Sequence, residues 1–166
     1  MNRFFACFLF SSILLWTNCM KDKSPRLTNC DNLVNDPVVN DGSFVAMPNA
    51  FTPNNDGLND IFRPLVSKIA KIKFSVTTER NEPIFHTETL GEGWRPISGF
   101  TAGTKYYYRV EAETLSGRKI GLCGYVYPLL VCLQSNIDRA TLNFEDELDP
   151  SGNFTIPSAE NLPDCN

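Results

Sequence analysis

Histidine is almost missing from this chain of 166 residues; His86 is the only one. A single imidazole excludes multi-histidine metal sets and leaves no partner for a histidine-based acid–base pair. No C-x-x-C pair occurs, so the six cysteines lack the spacing of a zinc site. There is no run of Lys and Arg, and the formal net charge is −4. Both features argue against nucleic acid and against electrostatic docking on anionic lipid. Beyond the N-terminus no apolar run reaches transmembrane length. The longest, Tyr125 to Leu133, is strand-sized and holds Pro128. Neither an internal repeat nor a convincing helical period is present.

What is present begins with an export signal. Met1-Asn2-Arg3 is a short basic region, and Phe4 to Trp16 is an apolar run too short to span a bilayer. Thr17-Asn18-Cys19 then leads into a polar stretch, Met20 to Pro25. This arrangement resembles a bacterial lipoprotein signal. The resemblance implies that residues 1–18 are removed, that Cys19 is acylated, and that the chain is anchored at the cell envelope through N-terminal lipid. The expected location is the outer membrane, facing either the periplasm or the surface. Several acyl chains on one residue would anchor stably, since each buried CH₂ contributes about 0.8 kcal/mol. An ordinary secretory signal followed by an incidental cysteine is the competing reading.

Four cysteines remain after Cys19: Cys30, Cys123, Cys132 and Cys165. An even number in an exported protein predicts two disulfides, and three connectivities are open. The favoured pairing is Cys30 with Cys123 and Cys132 with Cys165. The first would tie the N-terminal segment to the last core strand. The second would close the tail onto the domain.

Residues 19–42 are polar and read as a tether. From 43 the pattern is that of strands. Ser43 to Met47 is a short first strand, and Ile61 to Pro64 a short extended piece. Ile69 to Thr78 alternates with period two, which turns Ile72, Phe74 and Val76 inward. A turn at Glu79 to Glu82 leads to a hairpin partner, Pro83 to Thr87. Lys105 to Thr114 alternates again, Ser116-Gly117 turns, and Lys119 to Tyr127 returns. Short strands with Gly and Asn turns between them predict an all-β, antiparallel β-sandwich over residues 43–128. Residues 129–166 form an irregular tail with one strand or helical turn near Ala140, held by the Cys132–Cys165 bridge.

The most distinctive stretch is Pro48-Asn49-Ala50-Phe51-Thr52-Pro53-Asn54-Asn55-Asp56-Gly57-Leu58-Asn59-Asp60-Ile61-Phe62. Apolar anchors Phe51 and Phe62 flank a loop of turn-forming residues. The motif, set by Pro48, Asn49, Phe51, Thr52, Pro53, Asn54, Asp56, Gly57, Asn59 and Asp60, resembles the opening of the gliding motility-associated C-terminal domain. That family is the type B sorting domain of type IX secretion. Ile72 to Val76 resembles its central strand, Gly93-Trp94 its later Trp-containing turn, Thr104 to Val110 its tyrosine-rich strand and Gly124 to Tyr127 its closing strand. The resemblance implies an immunoglobulin-like β-sandwich and, in many members, a C-terminal secretion signal. Two departures stand out: the family's N-R-W-G turn reads Thr78-Glu79-Arg80-Asn81 here, and residues 129–166 follow the domain.

Several side chains are candidates for chemistry. Asn54, Asp56 and Asp60 offer oxygens to calcium, with Gly57 allowing the turn, although the spacing is not that of an EF-hand. A capped structural turn is the alternative. Trp94 and Tyr107 are candidates for a glycan-binding face, with core packing plus one exposed tyrosine as the alternative. His86 reads as a surface or edge-strand residue. Arg109, Glu111 and Glu113 read as a solvated charge ladder, and Asp146, Glu147 and Asp149 as a solvated acidic run. No catalytic set emerges. The sequence therefore predicts a non-catalytic, lipid-anchored component of the cell envelope whose partners are envelope or secretion-system proteins. A type IX sorting module or cargo, and a carbohydrate-binding module, are the alternatives.

Overall fold

The computed structural model describes residues 30–130 and 132–165. The signal region and Cys19 lie outside these residues. The described chain holds seven strands: β1 (Phe44–Ala46), β2 (Ala50–Phe51), β3 (Leu65–Ser67), β4 (Ile69–Thr77), β5 (Pro83–Thr87), β6 (Tyr106–Thr114) and β7 (Lys119–Pro128). No α-helix occurs among the described residues; two 3₁₀ turns, Arg139–Thr141 and Glu145–Glu147, are the only helical pieces. The fold is an all-β sandwich. A five-stranded sheet in the order β2-β7-β6-β4-β5 faces the β1–β3 pair. Every pairing is antiparallel except the short β2–β7 contact.

The period-two pattern explains the inner face. Phe74, Val76 and Val110 are completely buried, while their strand neighbours Lys73 and Glu111 face water. Residues of both sheets join one core, since Val45 and Val66 of the small sheet pack against the buried cluster that holds Ile72, Phe74 and Val110 of the large one. Aromatic rings dominate its centre. Phe62 lies 5.4 Å from Phe74, 5.6 Å from Tyr108 and 5.8 Å from Phe51; Trp94 lies 5.3 Å from Phe51 and 5.0 Å from Tyr106. Each such pair contributes about 0.5–1.5 kcal/mol beyond the burial of its surface.

The extended piece expected at Ile61 to Pro64 is a single bridge between Phe62 and Trp94, and the strand lies just beyond it as β3. Lys68 separates β3 from β4 with φ of 52°. A left-handed residue there kinks the chain, so Leu65–Ser67 joins one sheet and Ile69–Thr77 the other.

Both ends of the described chain are tied to the domain. Residues 30–36 are stitched to the domain instead of hanging from it. Asn35 exchanges two hydrogen bonds with Gly121, at 2.8 and 2.9 Å, and Asp36 two with Lys119. The Asn35 amide, with the Asp36 carboxylate and main-chain N–H, replaces a missing strand along β7 and covers an edge that would otherwise be open. The tail, irregular and tied by the Cys132–Cys165 disulfide as expected, also carries a core of its own. Leu129, Leu133, Ile137, Leu142 and Phe144 form a second buried cluster with Ala50 of β2, and Tyr127 packs against it. Gly152 lies against the Phe44 ring of β1. The tail thus closes one side of the sandwich, a contact between segments far apart in sequence that local pattern does not reveal.

Both disulfides are present in the favoured pairing. Cys30–Cys123 joins the N-terminal segment to β7, and Cys132–Cys165 joins the two ends of the tail. The second closes the tail on its own root, with Leu133 N–H donating to Pro163 O and Cys165 N–H to Leu133 O.

Candidate functional site

The opening motif builds a turn whose polar groups are engaged within the chain. Pro48, Phe51 and Thr52 are fully buried and hold its base against the core. Thr52 N–H donates to Asn59 O at 2.8 Å and closes the loop. Asn55, Gly57 and Asn59 adopt φ of 66°, 95° and 49°. Asn and Gly are the residues that tolerate this region at least cost, which is why the loop uses them.

The Asp60 carboxylate lies at the centre. It accepts from Asn55 N–H at 2.6 Å, from Gly57 N–H at 2.9 Å and from Arg95 Nη2 at 3.1 Å. Asp56 accepts from Leu58 N–H and from the Asn54 amide, both at 2.9 Å. The Leu58 bond first, and the Asn54 bond second, hold the Asp56 carboxyl below its ordinary range. Carboxylates ringed by N–H donors and a guanidinium are poor cation ligands. Asn54, Asp56 and Asp60 are thus engaged with one another, with main-chain N–H groups and with Arg95 as a capped turn. Among the described residues no group of three or more His, Cys, Asp and Glu side chains is placed to hold a metal ion.

Beyond the loop, the same motif faces the tail. Thr52 Oγ1 donates to Glu160 at 2.6 Å. The Asn59 amide donates to Asp146 at 3.1 Å and to Glu160 at 3.2 Å, while its oxygen accepts from Asp146 N–H at 3.2 Å. Asn49 donates to Thr141 O at 2.8 Å and accepts from Asn143 N–H at 2.7 Å. Arg63 forks onto Glu145 through Nε and Nη2. A cleft of about 380 Å³ opens beside this joint, lined by Arg63, Arg95, Asn59, Glu145 and Asp146.

The acidic run is thus corrected. Asp146 accepts from Ser158, from Ala159 N–H and from Asn59. Glu147 is buried and accepts from Phe144 N–H at 3.2 Å. Asp149 organises its own loop, accepting from Ser151, from Asn153 N–H and from Thr155. The Ser151 hydroxyl first, then the Asn153 N–H, hold its carboxyl far below the carboxylate norm. In sequence these carboxylates look solvated because their partners lie mostly in turns and in the distant motif. Glu145, Glu160 and Arg63 carry no local signal at all.

Trp94 and Tyr107 do not share a surface. Trp94 is buried against Phe51 and Tyr106, so it offers no open ring. Tyr107 points to the opposite face of β6, paired in register with Tyr125 of β7, over which Lys105 Nζ sits at 4.6 Å. That outer face carries the charge ladder: Arg109 meets Glu111 at 2.8 Å and Lys71 meets Glu113 at 3.2 Å. His86 lies exposed on edge strand β5, 3.8 Å from Glu88.

Comparison with family models, with curated proteins and with solved structures finds no match to this chain. Among the described residues no helix is long and apolar enough to cross a membrane.

Proposed function

We propose that the protein is a non-catalytic lipoprotein, anchored through Cys19 and acting as a structural or interaction component of the cell envelope. The observation that carries this reading is the pairing of all four cysteines beyond Cys19 as disulfides. Such bonds persist in an oxidising compartment and are rare in the cytosol, which supports reading the N-terminus as an export signal. The Cys30–Cys123 bond also lies on the route from Cys19 to the sandwich. A lipid on Cys19 would pull on β7 through a covalent link. The test is the intact, unreduced mass of protein taken from membranes. Residues 19–166 plus acyl groups, with two disulfides, is the expected species; a lipid-free mass overturns the anchor.

A second reading is a sorting module or cargo of type IX secretion, favoured by the motif from Pro48 to Phe62 and by the β-sandwich it opens. The role differs from that of a free signal, because Asn49, Thr52 and Asn59 are engaged by the tail. Surface delivery unchanged after deletion of residues 43–128 would remove it. For a carbohydrate-binding module, Tyr107 beside Tyr125 is the support left, and a silent glycan array ends that reading.

A further inference from the structure

One end of the sandwich leaves its aliphatic side chains in water. Leu115 stands in the β6–β7 turn and is 72% exposed. Val38 is 89% exposed and Val39 48%. They share one end because the loop that holds the valines is tied to that turn on both sides. Asp36 N–H donates to Lys119 O at 3.0 Å, and Ser116 Oγ donates to the Asp41 carboxylate at 3.3 Å. Leu115 N–H donates to Lys68 O at 2.9 Å, which brings Lys68 to the same place. Aliphatic side chains exposed singly are ordinary on a protein surface, whereas a group of them marks a contact.

The polar groups of this end suit a lipid interface. Lys68 and Lys119 are exposed beside the turn. Their long stems carry the ammonium groups to the level of lipid phosphates while the aliphatic side chains lie deeper. The nearby carboxylates are turned into the chain: Asp41 accepts from Ser43 N–H at 2.9 Å and Asp36 from Lys119 N–H at 2.6 Å. Such a contact is apolar, in keeping with a chain that has no run of Lys and Arg.

The anchor bounds the distance. The chain from Cys19 to Cys30 reaches at most about 40 Å, and Cys30 is bonded to Cys123 of β7. From Cys123 to Lys119 the strand advances only about 13 Å. Residues 33–36 follow it in that direction, since Leu33 lies over Gly121 and Asp36 against Lys119. The end with Leu115 is therefore held within reach of a bilayer that carries the lipid.

We infer that this end, Val38, Val39 and Leu115 with Lys68 and Lys119 beside them, is a membrane-contact surface that dips into the interface of the anchoring bilayer. This orientation rests on the lipoprotein reading and deepens it.

The test uses the full chain purified from membranes with its disulfides formed. It is placed in vesicles of phosphatidylcholine and phosphatidylethanolamine, with or without bromine on the acyl chains. Leu115→Trp puts an indole on the surface. Ile84→Trp, on β5 at the other end of β4, is the control. After subtraction of the Trp94 emission of the unaltered chain, bromine should lower the emission from position 115 at least twofold and leave that from position 84 unchanged. Val38→Trp repeats the measurement should the Leu115→Trp chain fail to fold. Emission that bromine does not lower overturns the inference, as does equal quenching at position 84. A blue shift without quenching means that protein, a second copy or another chain, covers this end, and overturns it as well. The intact mass of the same preparation separates the two levels. An acylated chain without quenching removes the contact surface and keeps the anchor; a lipid-free chain removes both.

Discussion

Replacing Gly93 by Ala should unfold this domain far more readily than its single added methyl suggests. Gly93 has no left-handed backbone angle, and what it provides is space. A Cβ there would lie 2.6 Å from Arg63 Cβ, 2.6 Å from Ile61 Cγ2 and 2.7 Å from the Phe62 carbonyl oxygen. The last contact is with backbone, which cannot rotate away. The neighbouring bridge, Phe62 N–H to Trp94 O at 2.9 Å and Trp94 N–H to Phe62 O at 2.8 Å, must open to admit it. Overpacking costs about 1–3 kcal/mol, and two lost main-chain bonds cost about 0.5–1.5 kcal/mol each. The sum is about 2–6 kcal/mol before any movement of the Phe62 and Trp94 rings. Against a typical domain stability of about 5–15 kcal/mol, that is a large share. Urea unfolding should report it through Trp94, the only tryptophan after residue 18. With a slope of about 2 kcal/mol per molar urea, the midpoint should fall by roughly 2 M. Gly57→Ala is the control. Gly57 has φ of 95° and nothing within 4 Å of an added Cβ, so it pays only conformational strain of about 1–2 kcal/mol. A Gly93→Ala loss no larger than the Gly57→Ala loss would refute the steric argument.

Cys132→Ser/Cys165→Ser opens a loop with a sequence separation of 33, worth about 4 kcal/mol in the chain-entropy picture. Hydrogen exchange should rise first at residues 141–147, with β4 and β6 still protected. Thr52→Val removes a buried hydroxyl that donates to Glu160 at 2.6 Å and should cost about 1.5–3 kcal/mol, read by thermal unfolding. Burial first, and the nearby Tyr125 second, push the Tyr108 hydroxyl up to about 12. A raised folded-state value means that this contribution is complete below pH 10 and is lost as pH climbs from about 10 towards 12. One of the five tyrosines should accordingly ionise late in an absorbance titration, and Tyr108→Phe should remove that phase. Asp149 titrates in the opposite sense. Its carboxyl is held below the ordinary value, so the 149–155 loop keeps its bonds above that value and loses them as pH falls well below 4. Asp149→Ala should abolish this acid transition in the Phe44 ring signals.

The legible parts of the fold are the long strands. In β4 and β6 the alternation of apolar and polar residues matches the pleat, so Ile72, Phe74 and Val76 could be assigned to the core from order alone. Strand β3 was hidden because three residues carry no period and its boundary is a left-handed lysine. The loop of the motif was legible as turn chemistry, since Asn and Gly at positive φ act locally. The second use of the motif was not. Asn49, Thr52 and Asn59 meet partners 87 to 108 residues away, and nothing beside them in the chain announces those partners.

Composition and order alone thus determined the β class, the inward residues of the long strands, the turn at Asn54 to Asp60 and the even set of cysteines available for pairing. Each depends on properties carried by single residues or their neighbours: side-chain alternation, backbone tolerance and the count of cysteines. Tertiary structure decided that Trp94 faces inward and Tyr107 outward, that the N-terminal segment covers the edge of β7, and that the acidic tail docks on the motif. Those outcomes depend on which distant surfaces meet, because desolvation and hydrogen-bond pairing act between neighbours in space, not in sequence.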